Sequence, residues 1–277
     1  MLELFTQTDK KLIPTLPRYT FSGRIIVVQS ESEAERAVRY LRTCPLLGID
    51  TETRPSFRRG TTHQVALLQV AGGDLCFLFR LNFMGFPDCL AQLLEDENLC
   101  KVGLSLKDDF HQLSQCRPDF TPRGCIDLQQ MAAAMGIEDM SLAKLFANFF
   151  RRRISKTAQL TNWEADVLDE KQRLYAATDA DACIRLYERM VQLQASHDFV
   201  LLPAPPKPEP PESAAPMASS ALRATTKTRK IATKRTSKAT TSPSRSKKKS
   251  STTAKSKTTA RKRTTSRRQS PKDAPTL

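Results

Sequence analysis

Two acidic residues at the end of an apolar run have the spacing of a metal site. Residues 46–49 predict a buried strand, and Asp50 and Glu52 follow at its end. Because side chains alternate along a strand, residues i and i+2 face the same side, so the two carboxylates should be neighbours. Adjacent carboxylates repel each other unless a cation separates them. Hard divalent ions such as Mg²⁺ or Mn²⁺ prefer oxygen ligands, so this strand end could bind a metal if further acids fold back onto it.

Two later acids stand at positions that could reach this strand end. Asp109 lies in the first turn of a predicted helix, just after a short apolar strand, and Asp179 lies inside a long predicted helix over residues 168–194. Small apolar neighbours let the turn around Asp179 lie against the sheet, where a charge is costly unless it is paired or binds a metal. Tyr175 precedes Asp179 by four residues and therefore shares its helix face. Asp108 is an alternative to Asp109 as the third acid.

The apolar patterns predict the elements that carry these residues. A capping-box sequence at residues 30–33 predicts a helix start, and Gly72-Gly73 predicts the turn of a hairpin. Strands dominate first and helices later, which predicts an α/β domain with a mixed sheet. Residues 1–22 are expected to be an irregular lead-in. The predicted strands are residues 24–29, 46–52, 64–70, 75–81 and 101–105, and the predicted helices are 31–43, 87–95, 107–114, 126–135, 142–150 and 168–194.

The charge of the 277 residues is divided very unevenly. Residues 1–202 hold 24 Lys+Arg and 26 Asp+Glu, a net charge of −2, together with all 18 aromatic residues. Residues 203–277 hold 20 Lys+Arg and 3 Asp+Glu, a net charge of +17, and the two parts sum to the +15 of the whole chain. We therefore predict one folded domain over residues 23–202 and a basic tail that cannot build a core.

The tail begins with a proline-rich linker and continues as Lys/Arg blocks among Ser, Thr and Ala. Its composition resembles the C-terminal tails of linker histones. We expect it to be disordered, because few large apolar side chains are present to offset the entropy of ordering. Without aromatic residues it should bind phosphate backbones independently of base sequence. The alternative is a polycation that only improves solubility.

Cysteine, histidine and hydropathy patterns bound the remaining possibilities. The seven cysteines are scattered without a Cys-x-x-Cys pair, which indicates reduced thiols, and three separated histidines argue against a zinc site. No apolar run approaches the about 18 residues of a membrane span, and no signal-peptide pattern opens the chain. We expect a cytoplasmic protein associated with nucleic acid, in the nucleoid if the source is bacterial, with no membrane partner.

Three motifs in order carry a resemblance to a known family. They are Gly48-Ile-Asp-Thr-Glu-Thr53, then Lys101-Val-Gly with Asp109 and Leu113, then Tyr175-Ala-Ala-Thr-Asp-Ala180. Over roughly residues 24–194 the chain resembles the DEDD superfamily of 3′–5′ exonucleases, in the subgroup with Tyr in the third motif. That subgroup includes the catalytic domain of ribonuclease D and the exonuclease domain of the Werner-syndrome helicase. The stretch with Lys156, Gln159, Asn162 and Trp163, ahead of the third motif, also fits the family. The family has Leu four residues after the acid of its second motif, which favours Asp109 over Asp108.

The resemblance also implies a ribonuclease-H-like fold, cofactors and residue roles. Two divalent ions, Mg²⁺ or Mn²⁺, about 3.5–4 Å apart would stabilise an attacking water and a leaving 3′ oxygen. A neutral phenol near them would position the water rather than deprotonate it. The matching residues are Asp50 for the acid that bridges both ions, Glu52 and Asp179 for ligands of the water-activating ion, Asp109 for the outer ligand of the second ion, and Tyr175 for the phenol.

A basic loop after the acidic strand offers candidate substrate contacts. Arg54, Arg58 and Arg59 could bind phosphate, and Phe57 could stack on a terminal base. His111, two residues after the third acid, could also face the substrate. An ordinary solvated loop is an equal alternative for residues 54–60.

Three functions remain open on the sequence. The first is a metal-dependent 3′–5′ exonuclease with a tethering tail, with DNA favoured over RNA because residues 101–103 are more similar to the Werner-type domain. The second is a ribonuclease D-like enzyme that processes RNA. The third is a non-catalytic protein that compacts nucleic acid on a vestigial exonuclease fold, although all five catalytic positions are filled.

Overall fold

The computed structural model describes residues 1–58 and 60–204, which form a mixed sheet with helices on both faces and a small second sheet. The strands are Leu2–Phe5 (β1), Arg24–Val28 (β2), Leu46–Thr53 (β3), Val65–Gly72 (β4), Leu75–Arg80 (β5), Cys100–Gly103 (β6), Cys125–Asp127 (β7) and Phe199–Leu202 (β8). The α-helices are Glu31–Leu41 (α1), Leu81–Met84 (α2), Asp88–Glu95 (α3), Leu106–Cys116 (α4), Leu128–Ala134 (α5), Leu142–Phe150 (α6) and Glu170–Ser196 (α7). Within the described ranges no helix is both long and apolar enough to cross a membrane.

The acidic strand β3 lies inside the main sheet, whose strand order is β2-β5-β4-β3-β6-β7. Strand β4 runs antiparallel to both of its neighbours, β3 and β5. The pairs β2–β5, β3–β6 and β6–β7 are parallel. The expected α/β architecture with a mixed sheet flanked by helices is therefore confirmed. Strand β3 is therefore hydrogen-bonded to β4 on one side and to β6 on the other, and this pairing fixes the directions of its side chains.

Two local predictions had different outcomes. The capping box at the start of α1 is confirmed, because the backbone amides of Gln29 and Ser30 donate to the Glu33 carboxylate at 2.9 and 3.2 Å. The predicted helix over residues 126–135 is wrong at its start, since β7 pairs there with β6. Asp127 ends that strand and caps α5 by accepting a hydrogen bond from the Gln129 amide at 2.9 Å. A strand of three residues is too short to show a period of its own.

The irregular lead-in expected over residues 1–22 is wrong for β1, which pairs in parallel with β8. Side chains from the domain hold the segment further. Asn148 accepts from the Phe5 amide at 3.0 Å and donates to its carbonyl at 2.7 Å. Asp139 accepts from the Thr8 amide at 2.6 Å. The partner strand lies almost 200 residues away, so no local pattern could have indicated the pairing.

Helix α7 packs closely against the sheet because the residues that face each other there have very small side chains or none. Ala176, Ala177 and Ala180 are fully buried on its inner side. Beneath them Gly48 of β3 has no side chain, and a Cβ at that position would overlap the carbonyl oxygen of Ala180. The fully buried Trp163 packs near the start of the helix, with its ring centroid 6.1 Å from that of Tyr175. The helix backbone therefore approaches β3 closely at the position of its acids.

We expect Gly48→Ala to lower the free energy of unfolding by about 1–3 kcal/mol, as overpacking does in a tight core. The added methyl would meet helix backbone, which cannot rotate away. Urea unfolding measures the loss. Gly72→Ala is the matched control, because its Cβ would meet side-chain atoms of Leu47 and Cys44 at 2.8 and 3.0 Å, and these can move. Equal losses in the two variants would contradict the close approach of α7.

Candidate active site

Three of the predicted acids converge where β3 meets α7. Asp50 and Glu52 share one face of β3, and Asp179 comes from the helix turn above them. One carboxylate oxygen from each of the three lies within 4.8 Å of the others. Glu52 and Asp179 are buried, with 8% and 6% of their surface exposed, and Asp50 is half-buried. The i, i+2 spacing in β3 and the close approach of the α7 backbone to Gly48 together produce this cluster.

The electrostatics of the cluster are unfavourable without a cation. Burial, and next the charges of the neighbouring acids, raise the pKa of Asp50 well above its ordinary value and that of Glu52 to about 9. Burial also raises the pKa of Asp179 to about 7, against the opposing effects of Tyr175 and Lys156. Among the described residues, Asp179 Oδ1 is buried and has no hydrogen-bond partner. Crowded carboxylates, one of which has an oxygen without a partner, are suitable ligands for a hard divalent cation.

The fourth acid, Asp109, lies beside this group of three rather than within it. Its Oδ1 accepts a hydrogen bond from the Thr51 hydroxyl, which ties the first turn of α4 to β3. Burial raises the pKa of Asp109 to about 6, and the bond from Thr51 opposes that rise. The rival acid, Asp108, is exposed and accepts from the Ser105 hydroxyl at 3.3 Å. Asp109 is therefore the residue of the pair that faces the acidic strand.

The Tyr175 side chain borders the cluster and is 9% exposed. Burial raises its pKa well above the ordinary value, and the charges of Asp179 and Glu52 add to the rise. The phenol therefore stays protonated at neutral pH and can donate or accept a hydrogen bond without supplying charge.

A pocket of about 310 Å³ opens above the cluster, and Asp50, Glu52, Tyr175 and Asp179 line it. Other parts of its wall went unpredicted: Ser105, Gln129, Met140, Ser155, Lys156 and Gln159. Lys156 and Gln159 could have been found, because both lie in the stretch before Trp163 that fits the family. Gln129 and Met140 come from a helix and a loop whose sequences carry no signal for a pocket.

Arg54, one of the predicted phosphate contacts, has a partner within the domain. Its guanidinium pairs with Glu164 at 3.0 Å, and the other oxygen of Glu164 lies 2.9 Å from His63 Nδ1. These contacts tie both ends of the loop after β3 to the loop before α7. The arginine side chain remains 46% exposed. The structure thus shows a bracing role for Arg54, and its contact with substrate stays a prediction.

Three other predicted substrate contacts, Phe57, Arg58 and His111, are exposed side chains. Phe57 is 84% exposed, and Arg58 is exposed beside it. Arg59 lies outside the described residues. His111 is exposed on α4 with its Nε2 3.3 Å from Gln115 Nε2, and two residues of helix turn it away from Asp109. None of the described three lines the 310 Å³ pocket, and their roles stay predictions.

The raised pKa values predict that the metal-free protein loses stability as the pH rises. Glu52, Asp179 and Asp109 have pKa values of about 9, 7 and 6 in the folded chain, against about 4 when unfolded. Their contribution to stability is fully present below about pH 4 and is lost as the pH rises through the folded values. We expect the free energy of unfolding in EDTA to fall by about 1 kcal/mol or more between about pH 5.5 and 8.5, measured with urea.

Asp50→Asn removes one charge from the cluster and tests whether the cluster causes the fall in stability with rising pH. We expect its metal-free form to be more stable than the wild type at about pH 8.5, with a shallower pH slope, because Glu52 and Asp179 are repelled less. Glu97→Gln, at a side chain that is 69% exposed, is the matched control and should keep the wild-type slope. An unchanged slope in Asp50→Asn would show that the cluster is not the source of the pH dependence.

Sequence comparisons agree with the motifs. A family model described as 3′–5′ exonuclease matches residues 25–194. A 3′–5′ exonuclease from Arabidopsis thaliana is 29% identical over 195 residues, which are 64% of this chain and 67% of that protein. The human exonuclease 3′–5′ domain-containing protein 2 is 31% identical, over 67% of this chain but 33% of its own length. The mouse bifunctional 3′–5′ exonuclease/ATP-dependent helicase WRN is 28% identical, and the match covers 13% of it. The chain thus spans two thirds of one relative and a third or less of the others.

Comparison with solved structures gives the same fold. The EXO domain of Aedes aegypti Nibbler superposes with a TM-score of 0.58 at 19% identity, over 66% of this chain and 94% of that one. Escherichia coli RNase D superposes with a TM-score of 0.55 at 23% identity, over 62% and 45%. The ribonuclease-H-like fold implied by the motifs is therefore confirmed. The family model covers more than half of the 277 residues, and the chain belongs to the 3′–5′ exonuclease family, whose members hydrolyse phosphodiester bonds at the 3′ end of a nucleic acid.

Proposed function

We propose that the domain degrades DNA, in preference to RNA, from the 3′ end, with two divalent ions, Mg²⁺ or Mn²⁺, held by the carboxylate cluster. The observation that carries this proposal is the convergence of Asp50, Glu52 and Asp179 within 4.8 Å, at a pocket that Tyr175 also lines. Such ions, when bound, stabilise developing negative charge and lower the pKa of a coordinated water. The residues of the chain hold the ions, orient the water and limit its access.

The resemblance to the family implies the roles of three acids. Asp50 would be the ligand shared by the ions, and Glu52 and Asp179 would be ligands on the side of the attacking water. Asp109 suits an outer position, through water, because one of its oxygens already accepts from Thr51. Tyr175 orients the attacking water as a neutral phenol, since burial disfavours its ionised form.

The choice of DNA rests on two relatives in sequence. One is the mouse exonuclease/helicase, and another is a DNA polymerase I from Aquifex aeolicus, 26% identical over 163 residues. The Escherichia coli structure that shares the fold is described as an exoribonuclease involved in structured RNA processing, so ribonuclease D-like processing is the alternative. A non-catalytic compacting protein is the third possibility, and it would leave the costly carboxylate cluster without a use.

The basic tail is proposed as a tether. Residues 203–277 carry a net charge of +17, and all but the first two lie outside the described residues. Lysine and arginine side chains that displace counterions from phosphates bind any base sequence and lose affinity steeply with salt. A tether of this kind would keep a nearly neutral domain near its substrate and would take no part in the hydrolysis itself. The alternative remains a polycation that only improves solubility.

Hydrolysis of 5′-labelled single-stranded DNA and RNA of one sequence tests the proposal. With Mn²⁺ or Mg²⁺ we expect a ladder that shortens from the 3′ end, faster on DNA, and no ladder in EDTA. Asp50→Asn should be at least about a hundredfold slower while it still binds DNA, because it loses a ligand and not the tail. A ladder on RNA alone would favour the exoribonuclease. Salt-sensitive binding without a ladder on either polymer would favour the compacting protein.

Removal of residues 205–277 tests the tether. We expect the 1–204 fragment to show a raised KM for long DNA, a weaker dependence of KM on salt and an unchanged kcat, because the tail contributes binding and no chemistry. Steady-state kinetics at about 50 and 200 mM salt measure all three. An equal KM for the fragment and the full chain at both concentrations would contradict the tether.

A further inference from the structure

A second groove lies beside the pocket above the carboxylate cluster, which is called the catalytic pocket below. Its volume is about 810 Å³, and Met140, Ser155 and Lys156 belong to its wall and to that of the catalytic pocket. The two spaces are therefore adjacent. A strand that lies in the groove would have to pass only these shared residues to reach the carboxylate cluster.

The far wall of this groove is the lead-in segment. Lys10, Ile13 and Pro14 line it. Backbone hydrogen bonds fix the segment on both sides of them, from the Glu138 amide to the Thr6 carbonyl at 2.8 Å and from the Arg153 amide to the Pro17 carbonyl at 3.0 Å. The lead-in is thus an attached wall of the groove and not a loose extension.

The lining combines positive charge with apolar surface. Lys10, Lys156, Lys144 and Arg153 lie along it, and Lys144 is paired with the buried Asp139 at 2.5 Å. One acid, Glu138, also lines the groove and accepts a hydrogen bond from Gln7. Met140, 53% exposed, and Ile13 supply apolar surface between the cations. A lining that combines cations with apolar side chains suits the phosphates and base faces of a single strand.

We propose that this groove binds the single-stranded nucleotides immediately 5′ of the terminal one, with phosphates near Lys10 and Lys156 and bases over Met140 and Ile13. The proposal rests on the exonuclease function proposed above and adds the path of its substrate. It assigns to the lead-in a direct part in substrate binding.

Lys10→Glu tests the groove, and Lys11→Glu is the matched control. Both residues are exposed and both changes alter the net charge equally, but Lys11 does not line the groove. In the full chain we expect Lys10→Glu to raise KM for a 12-nucleotide strand about three- to tenfold, the range for reversing one exposed ionic contact. Its kcat should not change, because Lys10 does not line the pocket above the carboxylate cluster. Equal effects of the two variants would overturn the proposal.

Photo-crosslinking tests whether the groove binds the strand, independently of whether the protein hydrolyses DNA. A 12-nucleotide strand with 5-iodouracil third from its 3′ end is irradiated with the full chain in EDTA, and the crosslinked peptides are mapped. We expect crosslinks to residues 10–14 or 138–144 that weaken in Lys10→Glu. Crosslinks confined to other segments would overturn the groove, whether or not the enzyme hydrolyses DNA.

An independent observation concerns Gln69 in the middle of β4. Its side chain is fully buried, and both amide atoms lack a hydrogen-bond partner among the described residues. A buried amide without hydrogen-bond partners destabilises the folded state, so the presence of Gln69 at this position calls for a reason. In the antiparallel register Gln69 lies directly opposite Asp50. Opposed residues share a face of the sheet, with Cβ atoms about 4.5–5.5 Å apart.

The neighbours of Gln69 along β4 and directly opposite it on β5 are apolar. Leu67 and Ala71 flank it along β4, and Leu78 opposes it on β5. All three belong to the apolar cluster that packs under α7. We infer that Gln69 is a positioning residue, whose amide N–H donates to the Asp50 carboxylate when a cation binds there and fixes the direction of its oxygens.

Gln69→Met tests this role with a side chain of similar shape. We expect the Kd for Mn²⁺ to rise about tenfold or more, as after loss of a group that orients a metal ligand, while the urea midpoint of the metal-free protein stays equal or rises. Leu67→Met, on the same face, should change neither. Wild-type Mn²⁺ affinity in Gln69→Met would overturn the inference.

A measurement on the unmodified protein guards against a variant that does not fold. In ¹⁵N spectra of the full chain, addition of Mg²⁺ should shift the side-chain amide signal of Gln69, assigned by its connection to the backbone resonances of the same residue. A signal that does not move while Mg²⁺ saturates the site would contradict a hydrogen bond formed on binding.

Discussion

The contact between the backbone of α7 and the strand β3 is the constraint on which the site depends. Gly48 leaves room for the Ala180 carbonyl, and the alanines of the helix leave room for the sheet. Asp179 immediately precedes Ala180, so the same contact sets its distance from Asp50 and Glu52. A larger residue at either surface would separate the acids by the width of a side chain. Small residues here serve the position of the carboxylates rather than the strength of the core.

Two acids on one turn of α7 show how the surroundings distinguish a carboxylate that is paired within the protein from one that keeps an open oxygen. Asp181 is 2% exposed, accepts a hydrogen bond from the Tyr19 phenol and lies 3.5 Å from the Arg185 guanidinium. Burial, then the bond to Asp181, raises the pKa of Tyr19 to about 12, which keeps this donor protonated. Asp179, two residues earlier, is equally buried but keeps an oxygen without a partner among the described residues. The first acid is satisfied within the protein, and the second is open to a cation.

The same contrast shows what the sequence could predict. Period-2 spacing in β3 and the i, i+4 pair in α7 follow from local geometry, so Asp50, Glu52, Tyr175 and Asp179 could be placed on their elements before the structure was known. Pairings between distant segments have no such signature. The bond between Arg54 and Glu164 joins residues 110 positions apart, and β7 is too short for a pattern to stand out from the helix that follows it. The wall made by the lead-in was unpredictable for the same reason.

The pairing of β1 with β8 has a consequence for the order in which the domain can fold during synthesis. Leu2 is opposite Phe199 in that sheet, so the first strand leaves the ribosome about 197 residues before its partner. At 5–20 residues per second the partner follows after roughly 10–40 s. Until then β1 exposes unpaired backbone next to apolar side chains, and the wall that it anchors cannot be complete. In the nascent chain the strands of the main sheet can therefore pair before the lead-in is held in place, although the lead-in is synthesised earlier than those strands.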